Sequence, residues 1–212
     1  MANKQGHWYD GAEIGVCSVG CGRGANADYV CCEPQVGICV ADGMGGAPYG
    51  DFLARFSCHV AMASLREGGS ASDALQVARL GVQDLVKTID SPKSGTTLTV
   101  VRFTSRHLQV AWMGDTACFV LLRGANGATV RSTLETCSPC EGQRSTMVEA
   151  DAIMGFAVCT DGAWRMADDE VMAAILHECA AADSPSAKKT AARLAFGAEG
   201  RDDATAVVVK LR

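Results

Sequence analysis

The chain has 212 residues, of which 48% are hydrophobic and 20% are charged, a composition that excludes a disordered chain and favours one globular domain over residues 1–212. Nineteen Lys and Arg against 24 Asp and Glu give a formal net charge of −5, which argues against a nucleic-acid partner. Apolar runs stay short of the ~18 residues of a membrane span, and the first residues, MANKQGHWYDG, lack the apolar core of an export signal. We therefore expect a cytoplasmic protein without a membrane partner.

Eleven cysteines are distributed along the chain. Their number is odd and no export signal precedes them, so we expect reduced thiols, many of them buried in apolar strands. Cys137 and Cys140 form a single CxxC motif without a second pair at zinc-finger spacing, which is weak evidence for a metal or redox role.

The N-terminal part of the chain predicts strands followed by two helices. Apolar, β-branched-rich runs indicate strands at Ile14–Val19, Tyr29–Glu33 and Gly37–Ala41. The apolar period then becomes that of a helix, first over Tyr49–Arg66 and again over about Ser72–Ile89. Because two helices follow one another between strands, the pattern disfavours alternating βαβ winding.

The C-terminal part repeats this arrangement. Further strands are predicted at Thr96–Phe103, His107–Met113, Ala117–Leu122, Ala128–Ser132, Ile153–Thr160 and, last in the chain, Ala204–Leu211. The stretch Thr133–Asp151 is polar and irregular. Helices are predicted over Glu170–Cys179 and from a Ser184-Pro185 N-cap to near Gly197. The order strands, two helices, strands, two helices, strand favours an α+β layered domain.

Aspartates recur where the apolar strands begin or end: these are Asp42, Asp115, Asp161 and the pair Asp202-Asp203. Carboxylates at the edge of a rigid sheet are the oxygen ligands that Mg²⁺ and Mn²⁺ prefer. A single Asp-Gly is as readily explained as a turn, but repeated occurrence at strand ends favours a divalent-cation site. The four histidines are too scattered for a zinc site.

Six short blocks around these aspartates resemble those of one enzyme family. ICVADGMGGAPYGDF is similar to the VxDGMGG block of bacterial metal-dependent protein phosphatases, the type 2C or PPM family. The other blocks follow in the family's order, resembling its RxxNED, GTT, GDS, SDG and GxxDNxT elements at Arg23–Asp28, Ser94–Thr97, Met113–Thr116, Thr160–Gly162 and Gly200–Thr205. The resemblance extends from about Ile14 to Val209.

This resemblance implies an α+β fold, a four-layer αββα sandwich of two antiparallel sheets flanked by helical pairs. It implies a metal-dependent serine/threonine phosphoprotein phosphatase that hydrolyses phosphomonoesters with water activated by two Mn²⁺ or Mg²⁺ ions, with room for a third ion. The implied partner is a phosphorylated protein, and the implied opposing enzyme is a Ser/Thr kinase.

The resemblance also assigns metal-binding roles. Asp42 is expected to bridge the two ions, with Gly43 offering its backbone carbonyl, and Asp161 and Asp202 are expected to bind one ion each. Asp28 is expected to contact metal-bound water. A further aspartate, at position 115, matches the family position of a third, weaker ion.

The implied phosphate ligand is Arg23, whose planar guanidinium can pair with two phosphate oxygens. Three departures from the family pattern stand near the site. Ala27 replaces a glutamate, Asp203 replaces an asparagine and adds negative charge, and the segment 122–153 is short, which predicts a reduced or absent flap. Met44 stands where eukaryotic members carry a histidine, so the leaving group must take its proton from water or another group.

Other interpretations stay open at this point. A phosphatase-fold binding protein with weak or no activity would carry much the same blocks. Cys17 and Arg23 also satisfy the CxxxxxR spacing of cysteine-dependent phosphatases, although GANADYVCC does not favour the helix that should follow the arginine. The Gly-rich turn after Asp42 lacks the GK[ST] ending of a nucleotide-binding loop.

Overall fold

Ten strands in the described part of the chain form two five-stranded sheets, and every neighbouring pair is antiparallel. The structure is a computed structural model and describes residues 9–22, 24–124, 127–132, 143–165, 167–181, 185–197 and 200–211. The first sheet contains, in spatial order, β1 (Glu13–Val19), β10 (Ala204–Lys210), β9 (Ile153–Cys159), β6 (Ala117–Gly124) and β7 (Gly127–Ser132). The second contains β2 (Asp28–Glu33), β3 (Gly37–Asp42), β4 (Leu98–Phe103), β5 (His107–Met113) and β8 (Arg144–Glu149).

Helices cover the outer face of each sheet. The second sheet carries α1 (Gly50–Arg66) and α2 (Ala71–Thr88), and the first carries α4 (Asp169–Ala180) and α5 (Ala187–Phe196), preceded by the single-turn α3 (Asp161–Trp164). None of the described helices combines the length and the apolar character that a membrane crossing requires.

Successive side chains of a buried strand point to opposite faces of its sheet, one set into the core between the sheets and the other against the helices. In β3, Ile38 and Val40 are buried between the two sheets, whereas Cys39 and Ala41 are buried against α1 and α2. Strand β10 alternates in the same way between the other sheet and its helices. Each buried strand therefore reads as a continuous apolar run, because both of its faces are covered. The predicted αββα sandwich is confirmed.

Two local predictions are wrong. The stretch expected to be irregular contains strand β8, which pairs along its length with β5 at the edge of the second sheet. Only Val148 of β8 is buried, so an edge strand with polar side chains gives little apolar signal. The last helix begins two residues later than expected, with Ser186 as its N-cap, whose hydroxyl accepts a hydrogen bond from the Lys189 amide at 3.3 Å.

The nine cysteines in the described residues are all free thiols, five of them buried. This agrees with the expected reduced state. The CxxC motif at Cys137 and Cys140 lies outside the described residues, as does Ser184.

Candidate metal centre

Strand ends from both sheets bring the predicted aspartates to one edge of the sandwich. Asp28 begins β2 and Asp42 ends β3, and these two residues are direct partners in the antiparallel register. Asp115 follows β5 in the loop to the first sheet, and Asp161 follows β9 as the first residue of α3. Asp202 lies just before β10.

Three of these carboxylates lie close enough to share an ion. Asp42, Asp115 and Asp161 each offer an oxygen atom, and the three atoms lie within 4.8 Å of one another. Within the described residues this is the one such group of three or more potential ligands. An all-oxygen, all-carboxylate set suits a hard divalent cation such as Mg²⁺ or Mn²⁺ better than zinc, whose sites are typically built on Cys and His.

The proximity of these carboxylates makes their charged forms unfavourable. The pKa of Asp42 is raised from 3.8 to about 8, first by burial and then by the negative charges of Asp28 and Asp161. Burial and the neighbouring Asp115 also raise the pKa of Asp161. Like charges in a poorly solvated site need either a proton or a cation, so the site favours cation binding at neutral pH.

Two buried oxygens at the site have no hydrogen-bond partner among the residues that the structure describes. These are Oδ1 of Asp28 and Oδ1 of Asp161. An unpaired buried carboxylate oxygen is costly, and an ion or its bound water would satisfy it. The other oxygen of Asp28 accepts a 2.8 Å hydrogen bond from the Thr160 hydroxyl. Burial is the main cause that raises the pKa of Asp28 to about 6, and this hydrogen bond opposes it. The residues present therefore fit a divalent metal.

A hydroxyl and amide network fixes the backbone at Asp42. The Asp42 carbonyl accepts hydrogen bonds from the Thr97 amide and the Thr96 hydroxyl, both at 2.9 Å, and the Asp42 amide donates to the Thr97 hydroxyl at 3.0 Å. At Gly43, an added Cβ would lie 2.2 Å from the Gly50 carbonyl oxygen. Only glycine allows this approach, so Gly43 is here a packing requirement, and it forms a β-bridge with Thr96 where the Asp-Gly pair could have been a turn.

The centre opens into a cleft of about 900 Å³. Asp202 lines this cleft with the three clustered aspartates, but its oxygens lie outside the 4.8 Å group. Its Oδ1 accepts from the Asp203 amide at 3.0 Å. The predicted ligands are thus brought to one site, with Asp28 and Asp202 beside the central three. Arg23 lies outside the described residues.

Asp203 has a role that sequence reasoning missed. Its two carboxylate oxygens accept hydrogen bonds from the amides of Cys21 and Ala27, each at 2.8 Å. The negative charge at this position therefore holds both ends of the loop between β1 and β2. The contact spans more than 170 positions in the chain, so no local sequence signal could have indicated it.

Arg165 was also missed. Its guanidinium lines the cleft and forms an ion pair with the Asp161 carboxylate. The residue lies four positions after Asp161 and just past the end of α3. That i,i+4 spacing of an acid and a base was a signal available in the sequence.

Comparison with known proteins places the chain in a family. The profile described as protein phosphatase 2C matches residues 27–195, which is well over half of the chain. The chain therefore belongs to the protein phosphatase 2C family, whose members are metal-dependent serine/threonine phosphatases. A search of curated proteins found no match.

Solved structures support the same fold. The serine/threonine phosphatase PstP/Ppp of Mycobacterium tuberculosis is 23% identical, with 95% of this chain and 99% of that chain covered and a TM-score of 0.74. The catalytic domain of PstP in complex with two manganese ions is 22% identical, with coverages of 94% and 98% and a TM-score of 0.74. Stp1 of Staphylococcus aureus is 12% identical, with coverages of 94% and 95% and a TM-score of 0.72.

Proposed function

We propose that this chain hydrolyses phosphoserine and phosphothreonine esters in proteins, using two Mn²⁺ or Mg²⁺ ions. The observation that carries the proposal is the group of Asp42, Asp115 and Asp161, whose oxygens lie within 4.8 Å of one another at the mouth of a protein phosphatase 2C fold. The unpartnered buried oxygen of Asp161 supports metal binding independently.

The residues that would hold the ions come from both sheets. Asp42 would bridge them, the Gly43 carbonyl would contribute a neutral ligand, and Asp161 and Asp202 would each bind one ion. Asp28 would act through water, in keeping with its buried and unpaired Oδ1. The presence of two manganese ions in the PstP catalytic domain supports this number of ions for the present chain.

The ions, when bound, supply water of lowered pKa and neutralise charge on the phosphoryl oxygens. The chain itself orients the reacting groups. The Thr96 and Thr97 contacts hold the Asp42 backbone, and Thr160 holds Asp28. Arg23 would bind the phosphate through its guanidinium. Met44 offers no titratable proton next to the Asp-Gly pair, so the leaving group would take its proton from water or another group.

The cleft favours a phosphorylated protein segment as substrate. Met44 at its lining is 51% exposed and the Asp115 side chain is 43% exposed. In an open acidic cleft, the bound metal would recognise the phosphate group, and the rest of the protein substrate would remain outside the cleft. We infer a cytoplasmic enzyme that opposes a Ser/Thr kinase, with residues 1–212 acting as one catalytic domain.

The cysteine-dependent alternative has little support from the described residues. Cys17 lies within β1 and packs with the core between the first sheet and its helices, and it does not line the cleft. Residues 28–33, which follow the required arginine, form strand β2. That mechanism needs a helix N-terminus at this point to bind the phosphate and activate the thiol.

The deciding experiment measures hydrolysis of an aryl phosphate and a phosphopeptide with Mn²⁺, with EDTA, and after Mn²⁺ is restored. We expect activity to require the metal, Cys17→Ser to keep most of it, and Asp42→Asn to lose at least ~100-fold, since two-metal catalysis depends on the bridging ligand. Asp84→Asn, at a side chain 81% exposed on α2, is the matched control. Metal binding without activity in the wild type would instead identify a binding protein.

A further inference from the structure

Arg165 lies at the metal centre and has no role in the function proposed above. Six aspartates line the described part of the cleft, and Arg165 is the one cationic side chain among those described lining residues. Its guanidinium pairs with Oδ2 of Asp161 and lies 4.0 Å from Oδ2 of Asp115. It therefore stands between two carboxylates that could otherwise share a cation.

Local structure directs Arg165 to this position. The Arg165 amide donates to the Asp161 carbonyl at 2.8 Å and closes the single turn of α3, so that the side chains of residues 161 and 165 lie on one face. The preceding Trp164 donates its indole N–H to the Asp115 carbonyl at 2.9 Å. The end of α3 thus holds Asp115 both by its backbone and by its carboxylate.

The two oxygens of Asp161 have different partners. Oδ2 pairs with Arg165, whereas Oδ1 is buried and has no hydrogen-bond partner in the described part of the chain. Oδ1 is therefore available to an ion, while Oδ2 is already neutralised by the protein. No ion pair between Asp42 and Arg165 occurs among the described residues.

We propose that the guanidinium of Arg165 occupies the cation position between Asp115 and Asp161, so that the centre binds two divalent ions and not three. This inference rests on the proposed metal-dependent function. The resemblance had matched Asp115 to the position of a third, weaker ion. In this chain a protein cation takes that place, and Asp115 serves as a partner of Arg165.

The test counts the Mn²⁺ ions bound per chain, by equilibrium dialysis with metal analysis and by titration calorimetry. We expect two for the wild type and three for Arg165→Met, which removes the charge and keeps the aliphatic length. The added ion should bind at least ~10-fold more weakly than the first two, since it shares its carboxylates with neighbouring ions. Arg165→Lys, which keeps a positive charge, should bind two.

The control is Arg193→Met on α5. Arg193 is also 60% exposed and also pairs with a carboxylate, that of Glu178, but outside the cleft. The Arg193→Met variant should bind two Mn²⁺ ions, as the wild type does. Circular dichroism checks the fold, and Arg165→Gln replaces Arg165→Met if the latter unfolds.

The outcomes separate the two proposals. A wild type that binds no Mn²⁺ overturns the metal-dependent function itself. A wild type that binds two ions overturns only the role of Arg165 if Arg165→Met also binds two with unchanged affinity. Three ions in the wild type, or three in Arg165→Lys, would also overturn that role.

Discussion

Asp28 and Asp42 are direct register partners on neighbouring antiparallel strands, so two carboxylates of the same site are held side by side by backbone pairing. The two cannot separate without breaking the end of the β2–β3 ladder. Burial is the main cause that raises the pKa of Asp42 to about 8, and repulsion by Asp28 adds to it. This strain belongs to the metal-free protein and has measurable consequences.

The first prediction concerns the pH dependence of stability without metal. The pKa of Asp42 is about 8 in the folded chain and 3.8 as its ordinary value. The folded state thus holds this proton more tightly than the unfolded state. Its contribution is fully present at low pH and is lost as the pH rises towards 8, so the free energy of unfolding should fall in this range.

The measurement is the thermal midpoint in EDTA between about pH 5 and about pH 8, where this titration is expressed. The wild type should lose more stability across this range than Asp42→Asn, whose side chain does not titrate. When EDTA is replaced by saturating Mn²⁺, the difference in pH dependence between the two proteins should become smaller. Equal pH dependence in both proteins would contradict the raised pKa of Asp42.

The second prediction concerns the close approach at Gly43. Gly43→Ala places a Cβ 2.2 Å from the Gly50 carbonyl, and backbone atoms cannot yield as a side chain would. We expect a loss of at least ~2 kcal/mol in the free energy of unfolding, as for overpacked sites. Urea denaturation measures it. Gly45→Ala, two residues further on, places its Cβ within 4 Å of none of the atoms of the described residues and should change stability by less than ~0.5 kcal/mol. Similar losses in the two variants would refute the steric explanation.

The third prediction concerns Asp203, which holds the loop between β1 and β2 through the amides of Cys21 and Ala27. Asp203→Ala removes both acceptors and should cost ~2–4 kcal/mol of stability, the range for two hydrogen bonds to a charged group in a partly exposed site. Asp203→Asn keeps one acceptor oxygen and should lose about half as much. Chemical denaturation of both variants tests this order, and a greater loss in Asp203→Asn than in Asp203→Ala would rule it out.

The fourth prediction concerns Arg23, whose phosphate-binding role rests on the resemblance. Arg23→Ala should lower kcat/KM by ~10- to 150-fold, mainly through KM, because it removes a charge-assisted bidentate contact. Arg23→Lys should recover part of the loss. The Mn²⁺ affinity should change little, since a guanidinium does not bind cations. Steady-state kinetics and separate Mn²⁺ titrations distinguish these effects, and unchanged kcat/KM would make Arg23 an ordinary surface residue.

Much of the fold and site could be predicted because the signals were local. The buried strands carry long apolar runs; Asp42 is the last residue of one, and Asp161 comes two residues after the end of another. Strand β8 could not be predicted, since its polar side chains face solvent at a sheet edge. The contacts of Asp203 depend on how distant loops meet in the folded chain, which a local pattern does not contain.

The centre also joins the two halves of the sandwich. Asp42 belongs to the second sheet, and Asp161 comes two residues after β9 of the first. An ion shared by these residues would have to be released before the sheets could separate. If the transition state for unfolding already has the site open, Mn²⁺ acts mainly on the unfolding rate and leaves the folding rate nearly unchanged. By slowing unfolding, the metal would then prolong the time for which the native protein resists proteolysis.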